Sequence, residues 1–173
     1  IDKAGSAPFM PALFDDQYVE PLKNYIEELH RDTDTKVANQ LIHLGRAGFS
    51  MISGVPTIAP SPVPSKLSGE TPREMTREDI EEVQEAYVRA ARRSREAGFD
   101  FVEVLACTGY LISQFLSPVT NKRTDEYGGS IENRMRFGLE VIARGREALG
   151  KDFPLLVRIA ENTFMDGGHT KAQ

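Results

Sequence analysis

The chain has 173 residues, 40% of them hydrophobic and 27% charged, a balance that supports a buried core and weighs against disorder. A formal net charge of −5 and a pI near 5.3 argue against nucleic acid or an anionic membrane as partner, since either needs a basic surface, and leave a small-molecule substrate open. No apolar run is long enough to span a bilayer and residues 1–10 lack the pattern of a signal peptide, so the expected location is the cytoplasm.

Leu22, Tyr25, Ile26 and Leu29 recur at helical spacing after Pro21, which predicts a helix over Asp15–Arg31. Lys36–Leu44 is short, apolar-rich and free of Gly and Pro, as a buried strand would be, and Gly45 ends it. Ser50–Pro72 holds five prolines and reads as a long irregular loop of the kind that carries function in compact enzymes. Thr76 and Asp79 form a capping-box pattern, and Ile80, Val83, Tyr87 and Ala90 mark one face of a helix running to about Glu96. After Gly98, Phe99–Ala106 reads as a second buried strand and Thr108–Gly129 as another long loop. Ser130 is placed to cap a third helix with Ile131, Met135, Leu139, Ile142 and Leu149 on its buried face and Gly150 past its end. Pro154 then precedes a third strand, Leu155–Ile159. Helices alternating with strands in this way predict parallel βαβ units within one domain, or part of one. The start at Ile1 and the stop at Gln173 read as a portion of a longer protein.

Strand ends face the active site in a parallel barrel, which directs attention to Gln40–Arg46, to Leu105–Tyr110 and to Arg158. The run Gly109-Tyr110-Leu111-Ile112-Ser113-Gln114-Phe115-Leu116-Ser117-Pro118 continues through Asn121, Arg123-Thr124-Asp125, Tyr127-Gly128-Gly129 and Glu132-Asn133-Arg134 to Arg136-Phe137. This long ordered run resembles the signature of the old yellow enzyme family. Gln40-Leu41-Ile42-His43-Leu44-Gly45-Arg46 is similar to that family's third-strand motif, Ala59-Pro60-Ser61 to its following loop, and Leu156-Val157-Arg158-Ile159 to its fifth strand.

The resemblance implies a (β/α)8 TIM barrel that binds FMN, with residues 1–173 a partial barrel covering the third to fifth strands and the N- and C-terminal parts absent. It implies Gln40 at the pyrimidine edge of the flavin, where an amide can both donate and accept, and Arg158 against N1 and O2, where a fixed cation favours the reduced ring. Tyr110 is implied as the proton donor to an alkene carbon that receives hydride on its neighbour; phenols hold their proton at neutral pH. Family members commonly bind the substrate carbonyl through a histidine and a second His or Asn, and here those substrate-binding positions hold Leu105 and Thr108. That departure, with Glu161-Asn162, Phe164-Met165 and Gly167-Gly168, resembles the 2,4-dienoyl-CoA reductase and 2-enoate reductase branch. Relatives in that branch carry an iron–sulfur cluster and a further nucleotide-binding region outside the span of this chain.

Other readings stand beside these. Gln40 alone could be a hydrogen-bonded core amide, Arg158 an ion-pair partner of Glu103, and Tyr110 a packing residue with a satisfied hydroxyl. His43 and Arg46 read as supporting residues, since their spacing is not that of metal ligands, and no metal site is expected. Asn121, Arg123, Asp125, Glu132 and Arg134 read as salt-bridge pins for the long loop. Arg89, Arg92, Arg93 and Arg95 read as a solvated helix face. Cys107, the single cysteine, reads as packing and excludes an internal disulfide. The functional expectation is an FMN enzyme passing hydride from NAD(P)H to an activated C=C bond of an enoate or dienoyl thioester. Alternatives are an amine dehydrogenase like trimethylamine dehydrogenase, or a partial barrel without catalysis. Three strands cannot close a barrel, so a chain consisting of these residues alone is expected to self-associate, as a homo-oligomer, or to hold FMN poorly.

Overall fold

The computed structural model describes residues 1–6, 10–162 and 166–170. A 3-10 turn at Asp16–Tyr18 leads into α1 (Val19–His30), followed by β1 (Ala38–Leu41), α2 (Ser50–Ser53), β2 (Ile58–Ala59), β3 (Arg73–Glu74) and α3 (Arg77–Glu96). Then come β4 (Phe101–Ala106), α4 (Leu111–Leu116), α5 (Ile131–Leu149) and β5 (Leu155–Ile159). β1, β4 and β5 make one parallel sheet in that order, joined by crossovers through α3 and α5 as the alternation of elements predicts.

Strand pleating divides the side chains between two faces. Asn39 and Leu41 pair in register with Val102 and Val104, which pair in turn with Leu155 and Val157, and this face meets the helices. Ile80, Val83, Tyr87 and Ala90 of α3, Val102 and Val104 of β4, and Phe137 and Val141 of α5 share the main core. Phe115 of α4 stacks on Phe137 with ring centroids 4.2 Å apart. The other face, carrying Gln40, Glu103, Leu156 and Arg158, has no helix against it among the described residues. On this face Ala38, Gln40, Leu156 and Arg158 are exposed, and β5 is exposed on its helix side as well, at Val157 and Ile159.

Helix boundaries follow the capping chemistry of the sequence. Asp79 N–H donates to Thr76 Oγ1 at 3.2 Å and Thr76 N–H to Asp79 Oδ2 at 2.7 Å, a complete capping box at the start of α3. Ser130 caps α5 through the Asn133 amide.

On α1 only Val19 and Ile26 are buried, while Tyr25 is 60% exposed and Leu29 37%, because the helix leans on α3 along a narrow line and Ile26 fills the gap beside Gly98. Four expectations need correction. The first strand is shorter than Lys36–Leu44, because the chain turns at 45–47 and the Leu44 amide bonds Gly5 O. The proline-rich loop contains α2 and β2, which pairs in parallel over two residues with β3 just past the loop, and the loop over 108–129 contains α4, every residue of which is buried. On α5 the buried stripe is Arg134, Phe137, Gly138, Val141, Gly145 and Leu149, and Leu139 is 56% exposed. Two glycines there let neighbours approach closely: a Cβ on Gly138 would stand 3.0 Å from Ile112. Of the five apolar residues expected on the buried face, Leu149 alone is buried.

Candidate active site

The three strands are parallel, so their C-terminal ends and following loops lie on one side of the sheet, and the residues singled out from sequence converge there. On the open face Glu103 sits directly across from Gln40 in the ladder. The Gln40 amide Nε2 donates to Glu103 Oε1, and Arg158 forks onto the same carboxylate, Nε to Oε1 at 2.9 Å and Nη2 to Oε2 at 3.0 Å. The Arg158 guanidinium beside it holds the Glu103 carboxyl below its ordinary range, with the Gln40 amide adding to the effect.

Arg158 is thus the ion-pair partner of Glu103, and yet its side chain stays 58% exposed. Nη1 of Arg158 and Oε1 of Gln40 make no hydrogen bond among the described residues, so each retains capacity toward a ligand on the open face. Together they offer a donor and an acceptor, a set that fits the alternating carbonyl and N–H groups of a flavin edge. A cleft of about 280 Å³ opens beside Gln40 and Ile42, walled on its other side by Met10, Pro11 and Phe14.

Tyr110 is half-buried and packs with Leu44 and Ala47 of the loop after β1. Its position depends on Gln114, one turn into α4 and 1% exposed. Gln114 Nε2 donates to Leu44 O at 2.9 Å and Gly109 O at 2.7 Å, while its Oε1 accepts from the Arg46 amide at 3.1 Å. One amide therefore ties the loop after β1 to the loop after β4. Gly45 makes room for it: its φ is +60°, and an added Cβ would overlap the Gln114 amide oxygen. The Leu111 amide also donates to His43 O at 2.9 Å.

Leu105 is buried on the Glu103 side of β4, in register with Arg158. Thr108 is exposed, with φ +59°, the one non-glycine residue in the left-handed region among the described residues; such a conformation is costly for a β-branched side chain. Its hydroxyl donates to the Cys107 carbonyl at 2.7 Å. The two positions offer no imidazole and no amide side chain.

The supporting residues act mostly on backbone. His43 is buried, with Nδ1 accepting from the Gly45 amide at 2.9 Å and Nε2 3.2 Å from Asp2 Oδ2; the Asp2 carboxyl is held well below the ordinary range by the His43 ring, against the opposing effect of its burial. Arg46 Nη1 donates to Pro64 O at 3.0 Å. Asn121 donates to Phe115 O at 2.8 Å and Tyr127 O at 2.7 Å, and Arg134 Nε to Leu116 O at 2.8 Å. Arg123 pairs with Asp125 at 2.6 Å and also donates to Met75 O and Pro60 O. The long loop is therefore pinned through carbonyls more than through salt bridges. Arg93 and Arg95 likewise reach Asp16 and Leu149 O, so the arginines of α3 are not uniformly solvated. Cys107 is a buried free thiol. Phe164 and Met165 lie outside the described residues, and among the described residues no three His, Cys, Asp or Glu side chains are grouped to hold a metal ion.

Sequence reasoning weighed Glu103 only as a partner for Arg158 and overlooked Gln114. Strand alternation from Leu105 was the available signal for the first. A lone amide within the apolar run over 111–116 was the signal for the second.

Residues 2–173 match the model of the NADH:flavin oxidoreductase / NADH oxidase family. The chain belongs to this family. A curated member, the metal reductase of Desulforamulus reducens, is 50% identical over all 173 residues, which make up 26% of that protein. Among solved structures, a 2-naphthoyl-CoA reductase superposes with a TM-score of 0.87 at 34% identity, over 93% of this chain and 26% of that one. Old Yellow Enzyme from Pichia sp. AKU4542 superposes with a TM-score of 0.85 at 37% identity, over 97% of this chain and 46% of that one. The chain thus spans about a quarter to a half of these proteins, and its three-stranded sheet is part of a TIM barrel of the old yellow enzyme type. No helix among the described residues is long and apolar enough to cross a membrane.

Proposed function

We propose that the protein containing residues 1–173, a partial FMN-binding barrel domain, holds FMN at the C-terminal ends of β1, β4 and β5 and reduces an activated C=C bond at the expense of NAD(P)H. The observation that carries the reading is the convergence of Gln40 and Arg158 on Glu103 at the open face, beside the loop that bears Tyr110. FMN, when bound, supplies the hydride chemistry. Gln40 would meet the pyrimidine edge of the ring, and Arg158 would place a fixed positive charge where the reduced ring gathers electron density. Tyr110 would give its phenolic proton to the alkene carbon that does not take the hydride.

Leu105 and Thr108 would line the substrate position. An apolar side chain and a hydroxyl already turned to the Cys107 carbonyl make a poor clamp for a free enone oxygen, which favours an enoate or an acyl-CoA thioester held by contacts from elsewhere in the barrel. The similarity to a 2-naphthoyl-CoA reductase supports the thioester. The net charge of −5 supports an enzyme acting on a small molecule, with neither nucleic acid nor an anionic membrane as partner.

Tyr110→Phe in the intact enzyme tests the assignment. Reduction of bound flavin by NAD(P)H should be unchanged, while alkene turnover at saturating substrate falls by about 100-fold, the lower range for loss of a positioned proton donor. Full alkene turnover by the variant would remove Tyr110 from the mechanism.

A further inference from the structure

Glu103 stands at the centre of the open face, and both residues assigned to the flavin are hydrogen-bonded to it. Its two carboxylate oxygens take the Arg158 fork at 2.9 and 3.0 Å, and Oε1 also accepts from Gln40. The Glu103 side chain is only 14% exposed, whereas that of Arg158 is 58% exposed. The carboxylate is therefore the inner, anchored member of the set and the guanidinium the outer one. Without Glu103, Gln40 and Arg158 would have no hydrogen-bonding partner on this face among the described residues. The charges are coupled as well, since Arg158 is compensated by a carboxylate within hydrogen-bonding distance.

Resting on the FMN reading above, we propose that Glu103 is a positioning residue for the flavin. It holds the Gln40 amide and the Arg158 guanidinium in the orientation that meets the ring edge, and its charge offsets that of Arg158. Such a residue tunes the site as well as building it. A cation alone at N1 and O2 would favour reduced over oxidised FMN strongly; paired with a carboxylate it favours the reduced form less, which leaves the flavin able to pass its hydride on. A carboxylate that merely tied three strands together would add to stability and leave this balance alone.

The test uses the full-length holoenzyme and reads FMN itself. Glu103→Gln keeps an acceptor and the side-chain length but removes the charge. Its affinity for reduced relative to oxidised FMN should rise at least tenfold over wild type, equivalent to a midpoint potential about 30 mV higher for a two-electron couple. An unchanged or lower potential in a variant that still holds FMN overturns the proposal. Should Glu103→Gln fail to fold, Glu103→Asp decides. It keeps the charge but is one methylene too short to hold both partners, so oxidised FMN should bind about tenfold more weakly, and wild-type affinity overturns the positioning role. A wild-type enzyme that takes up no FMN contradicts the functional reading itself, which separates the two failures.

Discussion

Replacing Gln114 with Leu should loosen the two loops that frame Tyr110 and leave the sheet in place. The substitution conserves approximate volume and removes three hydrogen bonds. Leu44 O keeps a partner in the Ala47 amide at 3.1 Å, and Gly109 is exposed enough for water to reach its carbonyl. The Arg46 amide loses its acceptor outright. An unsatisfied buried group costs about 1–3 kcal/mol, and with partial rehydration of Gly109 the net loss comes to about 2 kcal/mol, roughly a 30-fold increase in local opening at 1.4 kcal/mol per decade. Hydrogen exchange of the intact protein, followed by mass spectrometry over peptides covering residues 43–47 and 109–114, reads this opening directly. Faster exchange confined to those two segments is the expected result. Unchanged exchange in both would refute the idea that one amide couples them.

Two further substitutions probe neighbouring features. Gly45→Ala places a side chain in a left-handed conformation and against the Gln114 amide, and should cost about 2–3 kcal/mol in urea unfolding; a loss below about 0.5 kcal/mol would show that the loop simply moves aside. The Asp100 carboxyl is held down to about 2 from an ordinary 3.8 by the Val37 amide first and the Lys36 ammonium next, with His30 adding to the effect. Because the folded value is the lower one, its stabilisation is complete above about pH 4 and is lost as pH falls through about 2. Asp100→Asn should therefore be less stable than wild type at pH 7 and converge with it near pH 2, in thermal melts across that range; a constant difference would contradict the assignment.

Much of this architecture can be read from local chemistry. The capping box at Thr76, the Ser130 cap and the stripe Ile80, Val83, Tyr87, Ala90 each rest on interactions within a few residues, and each forms as the pattern predicts. The failures occur where tertiary packing overrides hydropathy. α5 buries Gly138, Gly145 and Arg134 because the approach of Ile112 and the carbonyl of Leu116 decide the face. α4 is too short and too uniformly buried to show a helical period, so its six residues look like loop or strand. At the site, the resemblance locates Gln40, Tyr110, Leu105, Thr108 and Arg158 at or just beyond the strand ends where the structure has them. Apart from the Gln114 bond to Gly109 O, the bonds that organise them, through Glu103 and Gln114, link residues 55 to 70 positions apart. No local pattern encodes such pairings.

The central claim is that the ends of β1, β4 and β5 form an FMN site. Its most direct test is the visible absorption spectrum of the purified intact protein after incubation with excess FMN and gel filtration, compared with that of Gln40→Leu/Arg158→Leu. Near-stoichiometric flavin bands in the wild type and their loss in a folded double variant are the expected result. A folded wild type without flavin, or a double variant that keeps it fully, would contradict the account.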